Sequence, residues 1–396
     1  MASEPILADI RVLDLSEGIA GPFCTKLFAS LGAEVIKVER PGCGDPTRAA
    51  GPFLADEPHP EKSAAFLYLN TGKKSVTLNL DSSAGQTILR RLAQDCDILV
   101  EAFPPGYLDA LDLGYPHLRS LKPDLIYTSL SPFGQTGPYR RYKGSEIVAQ
   151  ALGGLMYTIG VPGREPLKIG GNVALHTTGI AAFSATMLAL QVRDVQGFGQ
   201  HVDVSSMETT AMSQIHASIH YQFRGTDTVR RESTLLRAAD GWVTPGLGIG
   251  TTEDVWQRLC DLMGKPELAG DERFITREAR REHQQEMQSV IAEWAATLPK
   301  EEIYHALQRM RTIAGYVATV EDLAKSEQLL HREFFQTIDH PFTGEATYPG
   351  TPFTVEGERG HMARAPLLGE HNVEVYCGRL GYCKEDLVHL SAMNVI

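Results

Sequence analysis

The sequence has few cysteines, and none of them is spaced for metal or redox chemistry. The six cysteines, at positions 24, 43, 96, 260, 377 and 383, include no C-x-x-C motif. A disulfide framework or a cysteine-bound metal is therefore not indicated. The first ten residues, MASEPILADI, do not resemble the charged and then apolar pattern of a secretory signal. We therefore expect a reduced, cytoplasmic protein.

The chain also lacks an excess of positive charge. It contains 37 lysine and arginine residues against 49 aspartate and glutamate residues, which gives a formal net charge of -12. Nucleic acids and anionic membranes attract basic surfaces. The composition therefore disfavours both kinds of partner, and solubility is the simpler explanation of the acidity.

Two further patterns are missing. The longest apolar run, Gly179 to Val192, is short for a bilayer and rich in Ala, Ser and Thr, so it predicts a buried helix. The segment SEGIAG at 16–21 keeps only Gly18 and Gly21 of the dinucleotide-binding motif G-x-G-x-x-G. A nicotinamide or flavin cofactor is therefore not expected.

The order of predicted strands and helices indicates an α/β fold. The chain has 396 residues, of which 43% are hydrophobic, enough for a large core and more than one lobe. The predicted strands are 10–15, 34–39, 75–79, 97–101, 124–130 and 201–205. The predicted helices between and after them are 21–31, 83–95, 145–155 and 179–192. This alternation is typical of a Rossmann-like domain with a mostly parallel sheet.

Near residue 221 the alternation of strands and helices gives way to short strands, a glycine-rich turn and charged helices. We predict that residues 1–220 form the N-terminal part of the large domain and that 221–330 form a second, smaller domain. Within the latter, apolar residues recur at helical spacing over 252–262, 278–296 and 300–309. Residues 331–396 follow as a C-terminal segment that ends in a short helix from Glu385.

Several segments, taken in order, carry a resemblance to a known family. They are IRVLDLSEGIAGPFCTKLFASLGAEVIKVERPGCGDPTR (10–48), NTGKKSVTLNLDS (70–82), DILVEAFPPGYLDAL (97–111), LKPDLIYTSLSPFGQTGPYRRYKGSEIVAQALGGLMYTIG (121–160), the alanine-rich run after Gly179, and GFGQHVDVSSMET (197–209). Together they resemble the class III CoA-transferases, the CaiB/BaiF or formyl-CoA transferase-like family. The resemblance implies that 331–396 returns to the large domain. It also implies a dimer of two intertwined, ring-like subunits.

The position of the family's nucleophile holds a leucine. In the family, an aspartate four residues before the glycine of the small-residue helix attacks the acyl-CoA, and counting back from Gly179 gives Leu175. The stretch from Pro166 to Arg193 contains no Asp or Glu at all. A leucine cannot form an acyl intermediate. The resemblance therefore implies a family member that lacks the catalytic aspartate.

Two nearby residues are weak candidates for other chemistry. His176 could act as a substitute base or nucleophile, but we favour a hydrogen-bonded histidine beneath the glycine loop, because a residue next to the nucleophile position usually points elsewhere. Glu146 matches an acidic position near the reacting carboxylates of the family. It could instead be a glutamate at a helix N-terminus that follows a Ser145 cap. Ile19 replaces a small or polar residue close to the acyl group in the family.

Coenzyme A recognition resembles the family more closely. Arg40 and Lys143 match basic positions that contact the phosphates of coenzyme A, and a phosphate requires such cations. Phe103 matches an aromatic residue beside the adenine. Lys74, together with Lys73, is a weaker candidate. Each lysine could instead be a solvated surface charge. Coenzyme A or an acyl-CoA is therefore the expected ligand.

Two other motifs have weaker interpretations. Gly246, Gly248 and Gly250 fall where some family members carry a loop over the acyl intermediate, but they also suit an ordinary turn. His216 and His220 are one helical turn apart, yet no third ligand accompanies them. We therefore predict no metal site and favour core or interface packing for the two histidines.

Three functional hypotheses remain open. The chain could be the non-catalytic subunit of a hetero-oligomeric CoA-transferase, such as the transferases that use succinyl-CoA and an aryl-dicarboxylic acid. Its partner would be a related subunit that keeps the aspartate. It could be a stand-alone CoA-ester hydratase, lyase or isomerase that uses Glu146 or His176. It could also be a homodimer that binds acyl-CoA without turnover.

Overall fold

The computed structural model of the protein describes residues 5–227, 230, 235–245, 252–355, 358–360 and 362–396. The chain divides into two compact units. The larger comprises Met1–Arg230 and Glu333–Ile396, and the smaller comprises Arg231–Arg332. The boundaries of the units thus follow residues 230 and 332, whereas the sequence led us to expect boundaries after residues 220 and 330.

A six-stranded parallel sheet lies within the larger unit. Its strands are β1 (Arg11–Asp14), β2 (Glu34–Glu39), β3 (Lys74–Thr77), β4 (Ile98–Glu101), β5 (Ile126–Ser131) and β6 (His201–Ser205). They are ordered β3-β2-β1-β4-β5-β6, and every neighbouring pair is parallel. The predicted α/β class with a parallel sheet is confirmed, and each predicted strand overlaps an observed one.

Helices connect these strands and follow them. They are α1 (Ala20–Ser30), α2 (Ala64–Leu69), α3 (Ser83–Gln94), α4 (Tyr115–Leu121), α5 (Glu146–Leu152), α6 (Leu155–Thr158), α7 (Val173–Gln196), α8 (Ser206–Met212) and α9 (Ile215–Arg224). The predicted helices at 21–31 and 83–95 agree with α1 and α3 within one residue. The prediction for 145–155 is too long, because Gly154 has a φ of 81° and separates α5 from α6.

Helix α7 differs from its prediction. It begins at Val173, so the prediction that Leu175 and His176 precede the helix is wrong, and both lie in its first two turns. The helix packs on α1 and the sheet through residues such as Ala182, whereas Leu188 is 69% exposed. It is therefore buried on one face only. By length and composition it could cross a membrane, a test that core helices of soluble proteins also pass.

The two faces of the sheet bury separate apolar clusters, because side chains alternate along each strand. One face packs against α1 and α7 through a cluster that includes Val12, Phe28, Val100, Ile126, Ala182 and Leu190. The other face packs against α3, α4 and the C-terminal segment through a cluster that includes Leu13, Val76, Leu89, Leu99, Leu118 and Tyr376.

The smaller unit is mainly helical. Its helices are α10 (Glu253–Leu262), α11 (Arg277–Glu282), α12 (Gln284–Ala295), α13 (Lys300–Arg309), α14 (Val320–Lys325) and α15 (Glu327–His331), and its short strands are β7 (Leu236–Arg237), β8 (Trp242–Thr244) and β9 (Gly315–Tyr316). The single helix predicted for 278–296 is wrong. His283, at φ -102° and ψ 30°, leaves the helical conformation and separates α11 from α12.

Residues 333–396 belong to the larger unit. They form β10 (Phe335–His340), β11 (Gly344–Pro349), β12 (Thr354–Val355), β13 (Glu358–Arg359) and α16 (Lys384–Ala392). The segment is tied to the region of β3. The Tyr376 hydroxyl donates to the Thr77 carbonyl oxygen over 2.7 Å, and the Asn79 amide donates to the Val395 carbonyl oxygen over 2.8 Å.

Four buried charges lie near the carboxyl ends of β1 and β2. The Lys73 ammonium is 2.9 Å from Asp14 Oδ2. The Lys37 ammonium is 2.8 Å from Asp45 Oδ2 and donates to the Ser16 carbonyl oxygen. Burial alone would raise the pKa of Asp14, but Lys73 and then Lys37 outweigh it and hold that pKa well below its usual range. The sheet edge is thus fixed by compensated charges.

A second buried ion cluster joins the C-terminal segment to the same edge. The Arg48 guanidinium donates to Glu39 and to Glu61, each over 2.7 Å. It also donates to the Pro366 carbonyl oxygen over 3.2 Å. Glu61 in turn accepts from the Leu368 amide over 3.0 Å. Three distant parts of the sequence therefore meet at one guanidinium group.

We predict that Asp14→Asn destabilises the protein by about 3–5 kcal/mol, because it leaves the buried Lys73 charge without its counter-ion. Urea denaturation at neutral pH measures the loss. Asp9→Asn is the matched control, since Asp9 is exposed and should change stability by less than about 0.5 kcal/mol. If Asp14→Asn lowered the free energy of unfolding as little as Asp9→Asn, the buried Asp14–Lys73 pair would not have the predicted stabilising role.

Lys26 is buried without a carboxylate partner among the described residues. Its ammonium donates to Thr71 Oγ1 over 2.8 Å and to Met362 Sδ over 3.2 Å, and it lies 4.3 Å from the centre of the Tyr68 ring. Burial, and then the charge of Lys73, lower the pKa of Lys26 from 10.5 to about 7. A positive charge on Lys26 therefore lowers the free energy of unfolding.

We predict a pH-dependent gain in stability for Lys26→Met. Between pH 7 and 10.5 the unfolded chain binds a proton on Lys26 that the folded protein lacks, so the stability of the parent protein rises with pH there. The variant should be more stable than the parent near pH 6 and lose that advantage toward pH 10. Urea denaturation across this range tests the trend, with the exposed Lys143→Met as control. An advantage that does not vary with pH would contradict the prediction.

Candidate functional site

The strand order creates a crevice at the carboxyl edge of the sheet. β1 pairs with β2 on one side and with β4 on the other. The chain runs outward from β1 through β2 to β3, and then returns to β4 and continues in the opposite direction across the sheet. In open α/β sheets, ligands bind at such a reversal point. Two of the predicted coenzyme A-binding residues follow these strands directly: Arg40 comes after β2 and Phe103 comes after β4.

Arg40 and Phe103 line one cleft of about 200 Å³, here called the Arg40 cleft. The Phe103 and Tyr107 rings lie 5.0 Å apart between centroids, and the Tyr107 hydroxyl donates to Asp81 over 2.9 Å. Arg40 Nε is 3.0 Å from Glu17 Oε1. The cleft thus offers an aromatic wall and an exposed guanidinium group, which suit a nucleotide with phosphates.

The sequence did not single out three of these residues. Tyr107 follows Phe103 by four positions in FPPGY, and this spacing was the available signal. Glu17 and Asp81 come from separate loops, so their pairing with Arg40 and Tyr107 depends on the fold.

The predicted lysines lie elsewhere. Lys143 is exposed in the loop before α5 and has no side-chain partner within the described part of the chain. Lys74 lies at the start of β3, on the amino side of the sheet, where its ammonium is 2.5 Å from Glu34 and 2.6 Å from Glu374. Lys73 is fully buried against Asp14. The fold therefore brings Arg40 and Phe103 together, but not these lysines with them.

Glu146 binds the backbone at the start of α7. Its Oε1 accepts from the Ala174 amide over 3.0 Å, and its Oε2 accepts from the Leu175 amide over 2.9 Å. The Gln150 side chain donates to the same carboxylate over 2.6 Å. The first amides of a helix lack intrahelical partners, and a negative charge there is favourable. Glu146 is 93% buried by these contacts. It therefore caps α7.

Ser145 does not serve as the predicted cap. It precedes α5, but its side chain makes no capping hydrogen bond. The prediction of a Ser145 cap is therefore wrong. Glu146 lies in the first turn of α5, and its carboxylate binds the first amides of α7.

His176 is held within the first turns of α7. Its Nδ1 lies 2.8 Å from the Asn172 carbonyl oxygen. A carbonyl only accepts, so Nδ1 is the donor in this hydrogen bond. The ring contacts Phe23 edge-on, with centroids 4.8 Å apart. His176 and Leu175 point from adjacent helical positions and are both half-buried.

A close approach of α1 to α7 places the segment after β1 beside this helix. A Cβ atom at Gly179 would lie 2.6 Å from the Ala20 carbonyl oxygen and 3.1 Å from the Phe23 ring. Only glycine leaves room for this contact. Ile19 immediately precedes α1, so it lies on the segment that approaches the start of α7.

The other candidate motifs add no ligand set. His216 is exposed on α9 and His220 Nδ1 lies 3.1 Å from the Thr226 carbonyl oxygen, so the expectation of core packing does not hold for His216. Among the described residues no three His, Cys, Asp or Glu side chains are grouped to hold a metal. Gly246, Gly248 and Gly250 lie outside the described residues.

The sequence from residue 7 to residue 372 matches the model of CoA-transferase family III. This range includes the whole sheet, all lining residues of the Arg40 cleft except Asn394, and the start of α7. The chain belongs to CoA-transferase family III. The resemblance inferred from the motifs is thereby confirmed at the level of the family, and coenzyme A thioesters are the substrate class of family III enzymes.

Individual family III proteins are similar over nearly their full length. Formyl-CoA:oxalate CoA-transferase from Streptomyces avermitilis is 34% identical over 98% of this chain and 99% of its own. Subunit BbsE of succinyl-CoA:(R)-benzylsuccinate CoA-transferase from Thauera aromatica is 33% identical over 97% of each chain. The crystal structure of a CAIB/BAIF family protein from Brucella suis, 30% identical, has a TM-score of 0.85 and covers 95% of this chain and 100% of its own.

We predict that Glu146 has a measurable structural role in this family III chain. Glu146→Ala should destabilise it by about 1–3 kcal/mol, because the Ala174 and Leu175 amides lose a charged acceptor. Glu146→Gln should cost less, since an amide oxygen still accepts one bond. Chemical denaturation measures both, with the exposed Glu165→Ala as control. Equal stability of Glu146→Ala and the parent protein would contradict the capping role.

Proposed function

We propose that this chain is the non-catalytic subunit of a hetero-oligomeric CoA-transferase, for instance a heterodimer. The complete enzyme would move coenzyme A between a dicarboxylic or aryl-acid acyl-CoA and a free carboxylic acid. The partner would be a related family III subunit that carries the catalytic aspartate. The single observation that carries this proposal is the leucine at position 175, four residues before Gly179.

The chemistry at this position supports the proposal. Covalent transfer requires a carboxylate that attacks the thioester, and an aliphatic side chain cannot replace it. Loss of the nucleophile of a well-studied hydrolase lowers turnover by about a millionfold. Along the sequence, the nearest acids are Glu165 and Asp194, which are ten and nineteen residues away.

Glu146 is the acidic side chain that contacts this helix start, and its contacts argue against a substitute role. Both carboxylate oxygens accept backbone amides of α7, and one also accepts from Gln150. Attack on a thioester or proton transfer would require Glu146 to give up these bonds and expose buried helix amides. The retained acid therefore supports a structural role.

The Arg40 cleft supports continued binding of coenzyme A. It keeps an exposed guanidinium group beside two aromatic rings at the reversal point of the sheet. In the proposed complex Phe103 contacts the adenine and Arg40 contacts a phosphate. A subunit without chemistry would still contribute this binding energy.

The surface of the larger unit supports a protein partner. Apolar side chains are strongly exposed on α7, where Val195 is 75% exposed, and on α9, where Phe223 is 84% exposed. Exposed apolar patches on a protein surface mark interaction sites. The relative BbsE is itself named as a subunit. We propose a cytoplasmic location, because all six cysteines are free.

A stand-alone enzyme is the second candidate, and the His176 geometry favours it. The Asn172 carbonyl accepts from Nδ1, which in the neutral ring leaves Nε2 as a base. A hydratase or isomerase that used this nitrogen would turn over without a partner. It would lose activity in His176→Phe, which keeps the ring contact with Phe23.

We predict that the purified chain alone neither exchanges labelled succinate into succinyl-CoA nor forms a covalent adduct. Succinyl-CoA is the probe, and intact-protein mass spectrometry after quenching detects an anhydride or thioester. Co-expression with a family III paralogue that has aspartate at the matching position should raise exchange by several orders of magnitude.

Substitution at position 175 provides the matched pair. Leu175→Asp should allow an adduct on that side chain if the surrounding site is intact, whereas Leu175→Asn, of the same size, should not. An adduct or sustained exchange with the unmodified chain alone would refute the proposal. Tight succinyl-CoA binding by the lone chain, with no exchange even beside the paralogue, would instead favour a non-enzymatic acyl-CoA-binding homodimer.

A further inference from the structure

A second cavity of about 320 Å³ lies on the sheet next to the Arg40 cleft. The loop after β4 lines both: Phe103 and Tyr107 face the Arg40 cleft, while Pro104, Pro105 and Leu108 face the second cavity. We call it the Tyr127 cavity. Its polar lining comes from Glu101, Asp109, Tyr115, Tyr127, Ser129, Gln135, Arg140, Arg141 and His201.

The strands build the floor of the Tyr127 cavity. Tyr127 and Ser129 are two positions apart on β5, so their side chains share a face. Glu101 pairs with Ser129 in register, and His201 pairs with Tyr127. Ser129 Oγ lies 2.9 Å from His201 Nε2, and the Glu101 carboxylate accepts from the Phe103 backbone amide over 2.7 Å. Four polar side chains therefore converge on one face of the sheet.

Tyr127 is the informative residue. It is only 3% exposed, and its hydroxyl has no hydrogen-bond partner among the residues the structure describes. Its ring is fixed by the His201 ring at 5.4 Å and the Tyr115 ring at 5.9 Å. The hydroxyl is not among the fully buried atoms that lack a partner, so it has access to open space, where it still lacks a protein acceptor. Because the residue lines the cavity, a molecule inside it can supply that acceptor.

Arg140 and Arg141 supply positive charge to the same cavity. Both side chains are exposed, and neither forms an ion pair within the described part of the chain. Unpaired guanidinium groups favour carboxylates and phosphates. Asp109 opposes them at the edge. Burial raises the pKa of Glu101 to about 7, so near neutral pH this acid is partly protonated and repels an anion less.

The Ser129–His201 pair does not indicate hydrolysis. In a catalytic triad the carboxylate binds the histidine and the histidine binds the serine. Here the Glu101 carboxylate lies opposite Ser129 in the sheet and accepts from the Phe103 backbone amide, and among the described residues it makes no bond to His201 that would orient the imidazole as a base. The Tyr115 ring also stacks on His201 at 5.1 Å and restricts it. The arrangement suits binding rather than catalysis.

We propose that the Tyr127 cavity binds an oxyanion, with the Tyr127 hydroxyl and the Arg140 and Arg141 guanidinium groups as its donors. The oxyanion is either a free carboxylic acid or a phosphate group of the coenzyme A that occupies the adjacent Arg40 cleft. Neither source requires the chain to be a non-catalytic subunit, so this site is independent of the function proposed above.

The test is isothermal titration of the full chain, purified with any subunit that accompanies it. The probes are succinate, inorganic phosphate and coenzyme A. Tyr127→Phe should weaken binding of the responsible probe about tenfold, the usual scale for one hydrogen bond to a charged group. Arg140→Ala/Arg141→Ala should weaken it further. Tyr139→Phe is the matched control, because Tyr139 is exposed and outside the cavity lining.

A stability measurement separates binding from a structural role. Without ligand, Tyr127→Phe should melt at the same temperature as the parent or higher, because the hydroxyl has no bond to lose. With saturating ligand, its melting temperature should rise less than that of the parent. A lower melting temperature without ligand, with unchanged ligand affinity, would show a structural hydroxyl and overturn the proposal.

Competition identifies the source of the oxyanion. If it is a free acid, succinate binds with and without saturating coenzyme A, and Tyr127→Phe leaves coenzyme A affinity unchanged. If it is a phosphate of coenzyme A, Tyr127→Phe weakens coenzyme A, and saturating coenzyme A blocks succinate and phosphate. If no probe binds, or all bind the variants as they bind the parent, ordered water satisfies Tyr127 and the proposal fails.

Discussion

The bonds from the Glu146 carboxylate to the first amides of α7 are the interaction on which the candidate site depends. They fix the start of a 24-residue helix that packs across the sheet, and they therefore fix the positions of Leu175 and His176. A carboxylate in this place looks like a catalytic acid when only the sequence is read. Its two oxygens instead accept the first backbone amides of α7, so they determine where this helix begins.

The two buried ion clusters make the sheet rigid at the carboxyl ends of β1 and β2. Asp14 and Asp45 neutralise Lys73 and Lys37, and Arg48 joins β2 to the C-terminal segment. Buried charges tolerate little displacement, because each one depends on its partner. The Arg40 cleft is therefore supported by polar contacts beneath it, whereas the sheet behind it is held by apolar packing.

The strands were predictable because buried parallel strands are short apolar runs between turn residues, and all six overlap the prediction. The start of α7 was not, since its first turn has no side-chain cap of its own and is stabilised by Glu146 from 28 positions before Ala174. Arg40 and Phe103 could be placed together because both directly follow strands. Lys74 could not be placed, because its partner Glu374 lies 300 residues away. The Tyr127 cavity had no sequence signal, because polar positions within a strand do not reveal what they face.

The cap on α7 uses backbone groups, so the start of the helix does not depend on which side chain stands at position 175. Only the backbone amide of residue 175 takes part in the cap, so its side chain contributes nothing to starting the helix. Any residue except proline can donate that bond. In evolutionary terms, an ancestral acid at this position could be lost by drift without unfolding the protein, and duplicated genes could divide the labour of one enzyme between two chains at little cost to either scaffold.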